Sequence, residues 1–282
     1  MKGKTVVATG ATSGIGEVAV LALAKMGARI VFVARDKRRA EATLARLERQ
    51  APKLGHAVHL ADLSLMAEAR RVGRLIAGKE PRVDVLVNNA GAMFADRRVT
   101  SEGLEMTFAL NHMAYFVLTE ALMEKLVASA PGRVVSTSSS AHQGMSLDVS
   151  DLQGAQRYSG WRAYGRSKLA NILFTRELAR RLAGTGVTAN CFHPGFVATR
   201  FGDASGGLTG LIIPFARVFA IKPEQGADTL VYLASSPEVA NVTGAYFVKR
   251  KAIEPSAAAR DDSAAKRLWE ASEALVAKAA AA

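Results

Sequence analysis

Short apolar runs rich in β-branched residues alternate along this chain with longer stretches whose apolar residues recur at helical spacing. TVVATG precedes EVAVLALAKMG, RIVFVAR precedes DKRRAEATLARLERQ, and HAVHLADL precedes MAEARRVGRLIAG. VDVLVNNAG leads into a long helical stretch that ends near Ala128. GRVVSTSSS, an irregular segment and AYGRSKLANILFTRELARRLAG follow. VTANCFHPG, a helical PEQGADTLVYLAS and a strand-like GAYFVK complete the series. Near-continuous apolar strands separated by helices predict a parallel sheet covered on both faces. Right-handed crossovers make this a doubly wound α/β fold of about seven strands. No internal repeat and no linker divides the chain, so 1–282 reads as one domain, with 253–282 as a C-terminal loop and helix.

Composition narrows the class without choosing a function. Hydrophobic residues make up 49% and charged residues 22%, which is ordinary for a globular chain. The single cysteine, Cys191, excludes an internal disulfide framework and fits a reducing compartment; in an apolar strand it reads as a core residue. The opening residues reach a glycine loop too soon for a signal peptide, and no apolar run is long enough to span a bilayer. A cytoplasmic protein without an integral membrane segment is the expectation. The formal charge of +12 raises the question of a nucleic-acid partner. Lys and Arg are scattered over helix faces, and only 6% of residues are aromatic. Solvated faces, with some attraction for a phosphorylated cofactor, are preferred to nucleic acid. The five histidines show no zinc-like spacing, so no metal is expected. His142 is placed at a substrate mouth and His193, before Pro194, in a structural role.

The segment TGATSGIG, Thr9 to Gly16, runs from the first strand into the first helix. Gly10 permits a tight turn, and Gly14 and Gly16 let the backbone approach a pyrophosphate at the helix N-terminus. A strand, a glycine loop and a helix in that order predict a dinucleotide site.

The spacing T-G-x-x-x-G-x-G resembles the short-chain dehydrogenase/reductase family, a Rossmann-type fold. Further motifs agree in order along nearly the whole chain: DL at Asp62–Leu63, NNAG at Asn88–Gly91, ALNHM around Asn111, SSS at Ser138–Ser140, YGRSK with Tyr164 and Lys168, and HPGFVAT. The segment from DLQGAQRYSGWRAYGRSK to FHPG and the ending KRLWEASEAL are similar to the retinol dehydrogenase branch, near the WW-domain oxidoreductases and protochlorophyllide reductases. The chain departs in having no WW domain and no membrane-anchoring N-terminal segment of the kind common in vertebrate retinol enzymes.

The resemblance implies a catalytic set of Asn111, Ser139, Tyr164 and Lys168. Tyr164 and Lys168 are four apart on a predicted helix and face the same way. A nearby ammonium is expected to lower the phenol's pKa, so that it gives or takes a proton near neutral pH. Lys168 would also hold the nicotinamide ribose. Alignment puts the hydroxyl that orients the substrate oxygen at Ser139, with Ser138 as nearest rival and Ser140 third. Asn111 would anchor a water that relays protons to Lys168; the plainer alternative is an Asn that interrupts its helix and bonds to backbone. Implied cofactor contacts are Gly10, Thr12, Ser13, Gly14, Ile15, Gly16, Asp62, Leu63, Asn89, Ala90, Gly91, Tyr164, Lys168, Pro194, Gly195, Val197 and Thr199.

In relatives that prefer NAD an acidic residue ends the second strand and binds the ribose hydroxyls. Here Ala34 holds that position and Arg35 follows, so NADP(H) is expected over NAD(H), with Asp36 as a complication and NAD(H) left open. The apolar segment GLTGLIIPFARVFAIKP matches the family's substrate lid, with a buried helix as the alternative. Together with Phe94, Tyr158, Trp161 and Phe196 it would form an apolar pocket for a hydrophobic aldehyde or ketone and its alcohol. The alternative function is a catalytically silent NADP(H)-binding regulatory protein. A homo-oligomer fits the family, although the extra segments here stand against its usual faces.

Overall fold

The predicted alternation is realised strand by strand. In this computed structural model residues 1–195 and 222–281 are described. Their strands are β1 (Thr5–Thr9), β2 (Arg29–Ala34), β3 (Ala57–Leu60), β4 (Val85–Asn88), β5 (Gly132–Thr137), β6 (Val187–His193), β7 (Tyr246–Val248) and β8 (Lys251–Ile253). They form one sheet in the order β3-β2-β1-β4-β5-β6-β7-β8. All neighbours are parallel except β7 and β8.

Side chains of successive strand residues point to opposite faces, and the two cores divide accordingly. Val7, Val31 and Val33 belong to one core, Val6, Ala8, Ile30 and Phe32 to the other. The second core is covered by α1 (Gly14–Lys25), α2 (Lys37–Gln50) and, late in the chain, a helix at Pro223–Ser235. The first is covered by α3 (Met66–Lys79), by the long segment after β4, and by two helices at Gly160–Arg181 and Asp262–Ala281. That long segment consists of α4 (Met106–Phe108), a π-helical turn (Ala109–Met113) and α5 (Ala114–Ala128). The three later helices are α6 (Gly160–Arg181), α7 (Pro223–Ser235) and α8 (Asp262–Ala281). No helix among the described residues is long and apolar enough to cross a membrane.

The sheet has one strand more than expected. Lys249 and Arg250 both take positive φ (49° and 62°), which makes a tight two-residue hairpin joining β7 to an antiparallel β8. Such turns normally carry Asn or Gly, so Lys-Arg gave no signal. The C-terminal segment therefore starts as the last strand residue, Ile253, and continues through a turn at Ala257–Arg260 into α8.

α8 packs on α5 and α6 through aromatic rings. Trp269 stacks on Phe174 (5.7 Å between ring centres, 5° between planes) and meets Phe116 edge-on at 4.8 Å. The Arg181 guanidinium lies 4.4 Å over the same indole. At the centre of this seam, His112 Nε2 is 3.0 Å from Ser272 Oγ, and both side chains are buried.

Burial pushes His112 down to about 4, so the folded protein holds it neutral. The unfolded chain takes up a proton below the ordinary histidine value of about 6.5. Stability therefore falls as pH drops from about 6.5 towards 4, by about 3 kcal/mol from this one group. Urea unfolding over that range is expected to show the loss. His112→Gln should flatten the curve by about one proton's worth; an unchanged slope would mean that His112 is not the group responsible.

Candidate active site

In an open parallel sheet, ligands sit beyond the carboxyl ends of the strands, where the strand order reverses. Here that place lies between β1 and β4. Thr9, the last residue of β1, ties the two loops together. Its Oγ1 accepts from the backbone N–H of Asn89 (2.9 Å) and of Ala90 (3.0 Å). Asn89 Nδ2 in turn donates to the Gly10 carbonyl at 3.3 Å.

The glycine loop is built as a cradle. Gly10 and Gly14 take φ of 65° and 55°, a region that L side chains rarely adopt. Ser13 caps α1 with no side-chain hydrogen bond, so the first-turn N–H groups face the loop mouth, where a phosphate would be held. Gly16 has a further reason to be glycine: a Cβ there would lie 2.1 Å from the Gly10 carbonyl oxygen, so its absence lets the helix close on its own loop. Thr12, Ser13 and Ile15 are half-buried around this mouth, as are Asn89, Ala90 and Gly91 opposite. These features fit a dinucleotide pyrophosphate.

Arg35 is exposed just beyond the end of β2, after a buried Ala34. Asp36 caps α2, its Oδ1 accepting from the Arg39 N–H at 2.8 Å. Arg39 was missed by the sequence reading. Its guanidinium donates to the Thr12 carbonyl at 3.4 Å, which brings a second cation to the glycine loop. The spacing of Arg39 on the first turn of α2, after a recognisable cap at Asp36, was the available signal. On the far side, Asp62 accepts from the Ser64 N–H and hydroxyl, and Leu63 is buried.

The catalytic candidates converge from three elements. Tyr164 and Lys168 lie on α6, Asn111 in the π-helical turn, and the serines after β5. Ser138 is buried and its hydroxyl donates to the Lys168 carbonyl at 2.8 Å, whereas Ser140 is exposed. Ser139 is half-buried, and its hydroxyl hydrogen-bonds the Tyr164 phenol. Lys168 Nζ is 5.5 Å from the centre of the Tyr164 ring and donates to the Thr137 carbonyl at 3.2 Å. Asn111 bonds to backbone: Oδ1 accepts from the Ala92 N–H at 2.8 Å, and Nδ2 donates to the Ala92 carbonyl and to Ser167 Oγ, both at 2.9 Å. A Cβ on Gly91 would come within 3.0 Å of Asn111 Oδ1 and 3.5 Å of Lys168 Nζ, so glycine lets all three gather.

Electrostatics correct one expectation. Burial pushes the Tyr164 phenol up to about 12, against the pull of its bond to Ser139, instead of Lys168 drawing it down. Burial also lowers the Lys168 ammonium to about 7. The pair is thus a phenol that keeps its proton and a lysine poised to exchange one near neutral pH.

On the substrate side, Trp161 is exposed with its ring 6.2 Å from that of Tyr164. Phe94 is buried, with the Arg98 guanidinium 5.5 Å over its ring. Tyr158 is tied down: its hydroxyl donates to the Phe94 carbonyl at 2.9 Å and lies 3.1 Å from Glu105. It lines a cavity of about 370 Å³ that touches Ser159, Arg162 and Arg166 but neither Tyr164 nor Ser139. His142 is fully buried and does not line the mouth. His193 is a strut, its Nδ1 accepting from the Ser140 N–H at 3.2 Å. Cys191 is a core residue whose thiol burial pushes up to about 12. Pro194 and Gly195 are half-buried at the end of β6. Phe196, Val197, Thr199 and the segment 207–221 lie outside the described residues.

Comparison with known proteins identifies the family of the chain. A family profile described as short chain dehydrogenase matches residues 4–206. Human retinol dehydrogenase 14 is 41% identical, over 98% of this chain and 87% of its own. Among solved structures, an uncharacterized protein from Mycobacterium Paratuberculosis superposes with a TM-score of 0.78 at 33% identity, covering 98% of this chain and 94% of that one. The Pseudomonas aeruginosa RhlG/NADP active-site complex does so with a TM-score of 0.69 at 28% identity, covering 88% and 94%. The chain is an NAD(P)-dependent oxidoreductase of alcohols and carbonyls, and it belongs to the short-chain dehydrogenase family, in its retinol dehydrogenase-like branch.

Proposed function

We propose that this protein is an NADP(H)-preferring reductase that interconverts a hydrophobic aldehyde or ketone with its alcohol. One observation carries the reading: a buried phenol, a hydroxyl bonded to it and a buried lysine gather at the carboxyl ends of the central strands, beside the glycine cradle. When bound, the nicotinamide cofactor exchanges hydride with the carbonyl carbon. Everything else falls to the chain. Ser139 holds the carbonyl oxygen as it gains charge. Tyr164 gives that oxygen its proton and is resupplied from the side of Lys168. Asn111 fixes the loop at Ala92 and is the assigned anchor for the relaying water. Trp161 offers apolar surface beside Tyr164. The preference for NADP(H) rests on Arg35 and Arg39, which flank Asp36, a residue whose Oδ1 caps α2. The NADP in the Pseudomonas relative's complex supports it by analogy.

NADPH oxidation with retinal and a series of straight-chain aldehydes tests the reading directly. Tyr164→Phe removes the proton donor and is expected to lower kcat by about 10²- to 10⁴-fold while NADPH still binds. Turnover that survives this change would remove Tyr164 from the chemistry.

Removing either guanidinium deletes a charge-assisted contact with the 2′-phosphate. Arg35→Ala and Arg39→Ala should each weaken NADPH binding by about tenfold and leave NADH binding nearly unchanged. Titration of both cofactors against both variants decides it, and equal losses for the two cofactors would refute the preference.

The lysine at about 7 sets the pH dependence of reduction. kcat/KM reports the free enzyme and should fall as pH rises through about 7, as Lys168 loses the proton that resupplies Tyr164. A flat profile from about pH 6 to about pH 9 would separate Lys168 from the proton path.

A further inference from the structure

The fully buried ring of His142 stands between Ser139 and the C-terminal segment. The Ser256 backbone N–H donates to Nε2 at 3.2 Å, and Nδ1 lies 2.6 Å from the Ser139 carbonyl oxygen. A backbone N–H only donates, so Nε2 is the acceptor and the ring proton sits on Nδ1. From there it donates to the Ser139 carbonyl. Tyr246 of β7 packs edge-on against the ring at 5.2 Å and blocks its rotation. Ser256 is itself held, since Ala259, in the turn that follows it, is fully buried in the core.

The Ser139 carbonyl also accepts from the His142 backbone N–H at 3.2 Å, so the His142 side chain adds a second, shorter bond to it. The Ser139 backbone is extended (φ −162°, ψ 155°), and the Ser139 hydroxyl accepts from the Ala141 N–H at 3.2 Å and bonds the Tyr164 phenol. The next peptide is pinned from the opposite side by the Ser140 N–H to His193 Nδ1 bond. The two histidines therefore grip the peptide between Ser139 and Ser140 at its carbonyl and at its N–H. The orientation of that peptide sets where the Ser139 hydroxyl points relative to Tyr164.

We propose that His142 is a positioning residue: its Nδ1–H fixes the Ser139 carbonyl, and its contact with Ser256 couples the C-terminal segment to the aim of the catalytic hydroxyl. The inference rests on the assignment of Ser139 in the proposed function. It extends that assignment to a residue that touches neither substrate nor cofactor, and to a segment more than a hundred residues along the chain.

Two amide side chains separate the two halves of the contact. In His142→Asn the amide nitrogen can occupy the place of Nδ1 and keep the donor to Ser139. In His142→Gln the amide oxygen can occupy the place of Nε2 and keep only the acceptor for Ser256. His142→Gln is expected to lose about tenfold in kcat, with KM for the aldehyde and Kd for NADPH within about twofold of wild type. His142→Asn should recover to within about threefold of wild type, whichever of the two variants has the higher Tm. Ser256→Pro fits the local φ of −55° and deletes the N–H without touching the ring. It should lower kcat by about threefold in the wild-type background and add nothing in His142→Asn.

Equal kcat values for the Asn and Gln variants, near wild type or equally reduced, would overturn the proposal, and so would loss confined to the Asn variant. Additive effects of Ser256→Pro and His142→Asn would remove the coupling to the C-terminal segment. Ser139→Ala run in parallel separates the two levels. If it keeps its turnover, the assignment of Ser139 fails and the role of His142 fails with it. If turnover is lost while Asn and Gln behave alike, only the inference about His142 fails.

Discussion

The carbonyl oxygen of Thr137, at the end of β5, accepts from Lys168 Nζ at 3.2 Å and from Asn171 Nδ2 at 3.1 Å. A lysine this deeply buried keeps a hydrogen-bond partner or is costly to hold. This carbonyl is that partner, and it fixes α6 against the sheet at the height of the chemistry. The side chain of the same residue extends the connection. Thr137 Oγ1 donates to Asn89 Oδ1 at 3.0 Å, and Asn89 Nδ2 donates to the Gly10 carbonyl. One hydrogen-bonded path thus runs from Lys168, the candidate catalytic lysine, through β5 and the loop after β4 to the glycine cradle. The glycine cradle and the candidate catalytic lysine are held in register through Thr137 and Asn89.

That path also explains why electrostatics and geometry agree. Lys168 is lowered to about 7 because it is buried, and Tyr164 is raised to about 12 for the same reason. Burial keeps the phenol protonated and makes the lysine easy to discharge. Neither property belongs to the residue types alone; both come from the close approach that Gly91 permits and from the cover that α6 provides.

Much of this was legible from the sequence, for identifiable reasons. β1, β2 and β4 are almost wholly buried and apolar along their interiors, with polar residues only at their ends, so period and length were enough to find them. The glycine loop could be read because its strand and helix flank it directly. Ser139 could be aligned, yet its separation from Ser138 and Ser140 depends on which hydroxyl faces Tyr164, and three consecutive serines carry no sign of that. β8 was missed because its turn uses Lys249 and Arg250 in conformations usually left to glycine or asparagine. The π-helical turn around Asn111 leaves no mark in a pattern read at helical period. Arg39 was overlooked because its place beside the glycine loop depends on where α2 starts, and a cap such as that at Asp36 is visible only when the helix start is fixed to the residue.

The seam between His112 and Ser272 joins residues 160 positions apart, one place along from Asn111. Until Asp262–Ala281 has been synthesised and has folded back, the Phe116 and Phe174 rings and the His112 side chain lose the cover that Trp269 and Ser272 give them. A chain that has emerged only as far as Arg260 presents every candidate catalytic residue, yet lacks the wall behind the turn that carries Asn111. The order of synthesis thus makes α8 the helix that closes the cover behind that turn, after the residues it covers are already in place.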